Sequence, residues 1–287
     1  HSLVDWNPVV TLSIFAAILL AALLHALWNA LAKRQAEGRV SVLLVSLCSG
    51  LFSLPFLPLV GWPAPVEYPW LALSILLHCG YCLFLGRAYR LGEFGQIYPL
   101  ARGSAPLVTL LLGALLLGEV PGVVAVAGAM VLVGGVLLMA WRGGIRLAPA
   151  ALCAVLITAL FTAAYTLSDG VGARSAGEPI RYTLWLFTLT ALVMPLLMRW
   201  QSRTALRSLT RAEWYSGALG GALSLLAYGI VIWAMTRAPI GLVAALRESS
   251  VLFAVLLSWL WLGERLGRVR LMAALVILCG ILLIRLG

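Results

Sequence analysis

Residues 102–122 read RGSAPLVTLLLGALLLGEVPG, and residues 247–267 read RESSVLFAVLLSWLWLGERLG. When the chain is shifted by 145 positions, 16 of the 37 residues from 102 to 138 are identical to their counterparts. Shared leucine richness explains part of this identity, but it does not explain the matched Arg, Ser, Gly-Glu and Gly positions. The match therefore indicates an internal repeat, which has to be recognised before a fold is assigned.

The composition around this repeat is that of a membrane protein. Of 287 residues, 63% are hydrophobic and 10% are charged, whereas a soluble domain is about 45–50% apolar and about 25% charged. These values exclude a soluble globular enzyme, and they equally exclude a disordered or nucleic-acid-binding chain. The formal net charge of +10 is therefore assigned to basic loops beside a bilayer.

Apolar segments long enough to span a membrane cover most of the chain. A spanning helix needs about 20 mostly apolar residues. Ten segments meet this requirement: 9–32, 40–60, 69–90, 95–118, 121–141, 147–169, 181–199, 213–236, 240–262 and 268–286. No connection between them is long enough to hold a soluble catalytic domain, so the protein acts within the membrane or across it.

The repeat and the ten segments together predict an all-α integral membrane protein built from two five-helix halves. The halves are residues 1–145 and 146–287, which form one membrane unit. Because each half has an odd number of helices, the second half must enter the membrane in the opposite sense to the first. Inverted repeats of this kind are typical of secondary transporters with a binding site at the midplane between the halves.

Basic residues predict the orientation of the chain. Only Arg174, Arg181, Arg237 and Arg285 lie on the side that includes both termini. The opposite side holds 14 basic residues: Lys33, Arg34, Arg39, Arg87, Arg90, Arg142, Arg146, Arg199, Arg203, Arg207, Arg211, Arg265, Arg268 and Arg270. The positive-inside rule places this second side in the cytoplasm, so the sequence predicts a multi-pass protein of the cell (inner) membrane with both termini extracytoplasmic.

Several short motifs resemble those of the EamA family of the drug/metabolite transporter superfamily. They are LLGE at 116–119, WLGE at 261–264, YPLARG at 98–103, ALRESS at 245–250 and HALWN at 25–29. The resemblance covers the whole chain and implies a ten-helix transporter of small metabolites, with no single substrate class. Members are often described with both termini in the cytoplasm, whereas the charge count of this chain predicts the reverse.

Two arginines stand at equivalent depths in the two halves. Arg102 is the eighth residue of segment four and Arg247 the eighth residue of segment nine, about 10 Å in from their helix ends at 1.5 Å per residue. Ionisable groups at such depths are costly and usually face a cavity or a partner. We therefore predict that Arg102 and Arg247 hold an anionic substrate between them, with structural pairing to acidic residues as the alternative.

Glu248 follows Arg247 directly but lies about 100° around the helix from it. It is therefore free to reach Arg102 across the bundle. We predict that Glu248 binds the substrate and also carries a coupling proton. Asp169, near the predicted end of segment six, is expected to be interfacial, and Glu119 and Glu264 are expected to be structural.

A polar and aromatic set completes the predicted cavity. His25 and Asn29 share one face of segment one, with Trp28 beside them, and Tyr81 shares a face of segment three with His78. The predicted substrate-binding residues are Arg102, Arg247, Glu248, His25, Trp28, Asn29, Tyr81, Tyr98 and Tyr165. Packing between helices is the alternative for each of the aromatic residues.

The sequence offers no sign of an enzyme. It has no Walker loop, no His, Cys and Asp set with metal-ligand spacing, and no cofactor motif. We expect a secondary active transporter of a small polar metabolite, anionic or zwitterionic, that alternates access and is coupled to protons. Its partners are the lipid bilayer and the substrate, with homodimerisation left open. The alternatives are an exporter of cationic or aromatic amines and a flippase-type subunit for lipid-linked intermediates.

Overall fold

The computed structural model describes residues 10–35, 38–91, 94–140, 147–197, 210–262 and 267–287. Within these ranges the chain forms helices and no β-strand. The helices are α1 Leu12–Gln35, α2 Gly38–Ser53, α3 Leu57–Val60, α4 Tyr68–Leu91, α5 Phe94–Leu117, α6 Val123–Ala140, α7 Pro149–Ser175, α8 Pro179–Leu197, α9 Arg211–Met235, α10 Ile240–Arg247, α11 Ser250–Leu262 and α12 Arg268–Leu286.

Among the described residues, eight segments are long and apolar enough to cross a membrane. Two further apolar stretches, Leu44–Val60 and Val123–Met139, are shorter. Each of the ten predicted segments thus corresponds to apolar helix, and eight of them have the length of a full crossing. The all-helical membrane class is confirmed, whereas ten full crossings remain a prediction.

Three predicted segments differ from the observed helices. Segment two is interrupted by a 3₁₀ turn at Leu54–Phe56, where Pro55 and Pro58 lack the N–H that a continuous helix requires. Segment nine is divided between α10 and α11. Segment six does not end at Asp169, because α7 continues to Ser175.

Glycines let α6 and α12 pack against each other at close range. A Cβ built on Gly128 would lie 2.6 Å from the backbone nitrogen of Ile284, and one on Gly135 would lie 2.9 Å from that of Ile277. Real Cβ atoms do not come so near to backbone, so only glycine fits at either position. Small residues at such interfaces are the usual means by which membrane helices approach each other.

A buried ion pair fixes the start of α10. The guanidinium of Arg174, on α7, donates a hydrogen bond to the Glu119 carboxylate at a distance of 2.5 Å. It also donates to the carbonyl oxygens of Met235 and Ala238, at 2.6 and 2.9 Å. The other oxygen of Glu119 accepts the backbone N–H of Ile240, the first residue of α10, at 2.8 Å. Glu119 is therefore structural, as predicted, and it sets the position of the helix that carries Arg247. Glu264 lies outside the described residues.

A second ion pair joins the start of α8 to the connection that precedes α4. Arg181, at the start of α8, donates to a fully buried Glu67 at 3.0 Å. The same carboxylate accepts the backbone N–H of Ala64 at 2.6 Å. Glu67 therefore ties the connection before α4 to α8.

Candidate functional site

The ninth apolar segment is interrupted where its polar residues lie. α10 ends at Arg247 and α11 begins at Ser250. Across the turn, the N–H groups of Glu248 and Ser249 bond to the carbonyls three residues back, at 3.0 Å each, instead of four. Every residue from 240 to 250 is buried. Broken helices with polar groups at the break form the substrate and ion sites of many secondary transporters.

Arg102 and Glu248 form a two-point ion pair. The Arg102 Nε donates to Glu248 Oε2 at 3.0 Å, and its Nη2 donates to Oε1 at 2.9 Å. This is the planar fork in which a guanidinium binds a carboxylate most strongly. The side chain of Glu248 is 2% exposed and that of Arg102 is 18% exposed. The structure thus pairs these two groups across the bundle, the structural alternative that the sequence left open.

His25 lies between two hydrogen-bond donors. Its Nε2 is 3.2 Å from Nη1 of Arg102, and its Nδ1 is 3.1 Å from the indole N–H of Trp28. A neutral imidazole accepts through one nitrogen only, so only one of these contacts is a hydrogen bond at a time. Asn29 donates its amide N–H to the carbonyl of His25 at 2.7 Å, which binds this side chain to its own helix.

Arg247 is almost as buried as its neighbours, but it has poorer partners. Its side chain is 11% exposed, and its nearest carboxylate oxygen, Oε1 of Glu248, is 3.9 Å away. Its Nε is buried and has no hydrogen-bond partner in the part of the chain that the structure describes. The guanidinium carbon lies 5.9 Å from the centre of the Tyr228 ring. The single carboxylate of Glu248 thus lies near both Arg102 and Arg247, so these three side chains together carry one excess positive charge.

Asp169 is fully buried, and its expected interfacial position is wrong. Because α7 continues through Gly170 and Gly172 to Ser175, the carboxylate lies inside the bundle. It accepts the hydroxyl of Tyr228 at 2.6 Å and the hydroxyl of Tyr182 at 3.2 Å. Among the described residues, no arginine or lysine nitrogen lies within 4.0 Å of it. Sequence reasoning missed this residue, although the small, uncharged run after it was a sign that the helix continues.

Aromatic rings fill the space beside Asp169. Tyr165 stacks on His78 with ring centres 3.9 Å apart, and the edge of Tyr81 meets Tyr165 at 5.8 Å. The Nδ1 of His78 lies 2.9 Å from the carbonyl oxygen of Ser74, one turn back on α4. Tyr165 is 8% exposed, so this group forms a packed wall.

The structure brings most of the predicted site residues into one connected set. His25, Arg102 and Glu248 are in direct contact, and Arg247 lies beside Glu248. Tyr81 contacts Tyr165 directly, and His78 stacks on Tyr165. The side chain of Tyr98 lies outside the described part of the chain. Asp169 and Tyr228 were not among the predicted site residues, and they extend the set from Arg247 towards α7.

The comparisons with known proteins agree with this architecture. The model of the EamA-like transporter family matches residues 12–141 and 149–286. A solved structure titled "Crystal structure of protein" is similar, with a TM-score of 0.75 at 21% sequence identity, over 93% of this chain and 97% of that one. At this identity the likeness shows the fold alone. No curated protein matches the sequence.

Proposed function

Because the chain belongs to the EamA-like transporter family, we propose that it is a secondary active transporter of a small anionic or zwitterionic metabolite. It moves this substrate by alternating access and couples the movement to protons. Membership of the family already implies a multi-pass membrane transporter of the drug/metabolite type. The charge of the substrate and the coupling ion are inferred from the site.

The observation that carries the proposal is the state of Arg247. Its guanidinium is buried at a broken helix, and among the described residues its Nε has no hydrogen-bond partner. The one carboxylate within 4.0 Å of it in the described ranges, that of Glu248, is already bound at both oxygens by Arg102. A buried polar group without a partner costs about 1–3 kcal/mol. A carboxylate, sulfonate or phosphate at Arg247 would remove this cost with charge-assisted hydrogen bonds.

The other polar residues divide into supporting roles. Arg102 holds Glu248 in place, and Glu248 in turn lies beside Arg247. His25 contacts Arg102 and is itself contacted by Trp28 and Asn29, while Tyr81 and Tyr165 form an aromatic wall. The role of Tyr98 stays a prediction from the sequence. Glu248 is the proton carrier predicted from the sequence, but both of its oxygens accept hydrogen bonds from Arg102, so a buried carboxylate without an arginine partner among the described residues is the better candidate for that role.

Alternating access requires contacts that break when one face opens. We assign the moving units to residues 1–145 and 146–287. The Glu119–Arg174 and Glu67–Arg181 ion pairs join residues of the two units. These pairs are therefore proposed as the closed gate of the face that carries both termini.

A cationic substrate is the second candidate, and one observation favours it. Asp169 is a buried carboxylate without an arginine or lysine partner among the described residues, and its two direct donors are the hydroxyls of Tyr182 and Tyr228. Carboxylates beside aromatic faces bind ammonium groups through charge and cation–π attraction. On this alternative, Asp169 would hold the ammonium of an exported amine.

A binding panel tests the proposal. The purified protein in detergent is heated with acetate, methanesulfonate, inorganic phosphate, L-alanine or tetramethylammonium, and the unfolding temperature is measured. The proposal predicts stabilisation by at least one anion or by the zwitterion. It also predicts uptake of that compound into proteoliposomes, driven by a pH gradient. Stabilisation by tetramethylammonium alone would contradict the proposal and would favour the amine exporter.

A further inference from the structure

Asp169 and Arg247 both contact one tyrosine, Tyr228. The hydroxyl of Tyr228 donates to Asp169 at 2.6 Å, and the ring of the same residue lies 5.9 Å from the Arg247 guanidinium carbon. Asp169 belongs to α7, Tyr228 to α9 and Arg247 to α10. The side chain of Tyr228 therefore lies between a buried carboxylate and a buried guanidinium whose nearest carboxylate oxygen among the described residues is 3.9 Å away.

We propose that Asp169 takes up and releases the coupling proton, and that its proton controls anion binding at Arg247. The inference rests on the proposed function, and it adds the group through which protons and substrate communicate. It assigns the coupling role to a carboxylate outside the Arg102–Glu248 pair.

The charge balance of the cluster supports this assignment. With Asp169 ionised, the charges of Arg102, Arg247, Glu248 and Asp169 cancel. With Asp169 protonated, the same four groups carry one positive charge, which an anion at Arg247 would neutralise. Uncompensated charge inside a membrane is costly, so proton and anion favour each other's binding. This reciprocity is the linkage that a proton-coupled symporter requires.

Glu248 is less suited to this role because of its contacts. Both of its oxygens accept from Arg102, so protonation would break a two-point ion pair. Asp169 has two neutral tyrosine donors, and these can stay in place when the carboxyl is protonated. A proton can therefore enter and leave Asp169 without dismantling the bundle.

Other ionisable groups near Asp169 have to be separated from it in any test. His78 on α4 interacts with it electrostatically, and the hydroxyl of Ser74 is close to both. Among the described residues, the other titratable or charged groups that face Asp169 or its tyrosines are Tyr165 on α7, Tyr182 on α8, Tyr228 on α9, Arg247 on α10 and, beside Tyr182, Glu67 before α4. His78 is the competitor for the role, because histidine titrates near neutral pH.

Binding of methanesulfonate across a pH series tests the proposal, because the charge of this probe does not change. In the parent protein, affinity should fall about tenfold as pH rises, the effect of one unit charge about 10 Å away at an effective dielectric constant of about 20. Asp169→Asn mimics the protonated acid, so it should bind at every pH as the parent does at low pH. The control Glu178→Gln, at an exposed carboxylate, should keep the parental slope.

Two results in Asp169→Asn would overturn the proposal: a slope equal to that of the parent, or a flat response at the weak affinity that the parent shows at high pH. If Asp169→Asn keeps the slope and His78→Gln or Glu248→Gln loses it, the proton belongs to that residue instead. If Asp169→Asn does not fold, Asp169→Glu replaces it. That variant should keep a slope with a displaced midpoint, and an unchanged midpoint would contradict the assignment.

Failure of the proposed function would look different. If the parent binds no anion or zwitterion of the panel at any pH, the anion site itself is wrong. If binding occurs but does not depend on pH in the parent, the anion site stands and the role of Asp169 fails. In proteoliposomes, Asp169→Asn should still exchange labelled methanesulfonate but should not accumulate it under a pH gradient.

Discussion

Arg102 and Glu248 are 146 residues apart in the sequence, yet they form a two-point ion pair inside the membrane bundle. The pair joins α5 to the break between α10 and α11, so it connects the two regions that the repeat makes equivalent. Although Arg102 and Arg247 match in sequence, the structure gives them different partners. Arg102 is held in a two-point ion pair, whereas the nearest carboxylate oxygen to Arg247 among the described residues is 3.9 Å away.

The first prediction concerns the strength of this pair. Glu248→Gln leaves the Arg102 guanidinium buried without its counter-charge, so it should lower the free energy of unfolding by about 3–5 kcal/mol. Arg102→Met combined with Glu248→Gln should cost less than the sum of the single changes, because the double variant removes both charges of the pair and leaves neither without its partner. Unfolding in mixed detergent micelles measures each value. Additive losses would mean that the pair does not contribute to stability.

The second prediction concerns the gate on the face that carries the termini. Arg174→Gln removes the cation that holds Glu119 and two carbonyl groups, so backbone amides at the start of α10 should exchange hydrogen faster. Hydrogen–deuterium exchange by mass spectrometry measures this change. Arg237→Gln is the matched control, because Arg237 is exposed and contacts the ring of Trp233. Equal exchange in the two variants would remove Arg174 from the gate.

The third prediction uses two adjacent glycines of α6. Gly135→Ala places a Cβ against the backbone of Ile277, and overpacking of this kind typically costs about 1–3 kcal/mol. Gly134→Ala meets nothing within 4 Å and should stabilise the helix by up to about 1 kcal/mol. The difference in unfolding temperature between the two variants measures the effect. Equal temperatures would show that α6 and α12 are not in such close contact.

The fourth prediction concerns orientation. The excess of basic residues on one side predicts that both termini lie outside the cytoplasm. A reporter that fluoresces only in the cytoplasm, fused after Gly287, should therefore stay dark. The same reporter fused after Gln201, in the connection that follows α8, should fluoresce. The reverse pattern would show that the orientation often described for the family overrides the charge count of this chain.

The class of protein and most of its helices are predictable because hydropathy depends only on local sequence. Two features of the site are not. The turn at Glu248 depends on which carbonyl accepts each N–H, and the burial of Asp169 depends on where α8 and α9 pack against α7. A hydropathy window that stops at a charged residue detects neither.

The central claim is that Arg247 binds the substrate anion, and the affinity of Arg247→Lys for methanesulfonate tests it most directly. Lysine keeps the charge but loses the planar fork, so binding measured by calorimetry should weaken by one to two orders of magnitude, equivalent to about 1.5–3 kcal/mol. The protein should remain folded, and Arg237→Lys should bind as the parent does. Parental affinity in Arg247→Lys would contradict the account and would leave both arginines as structural groups.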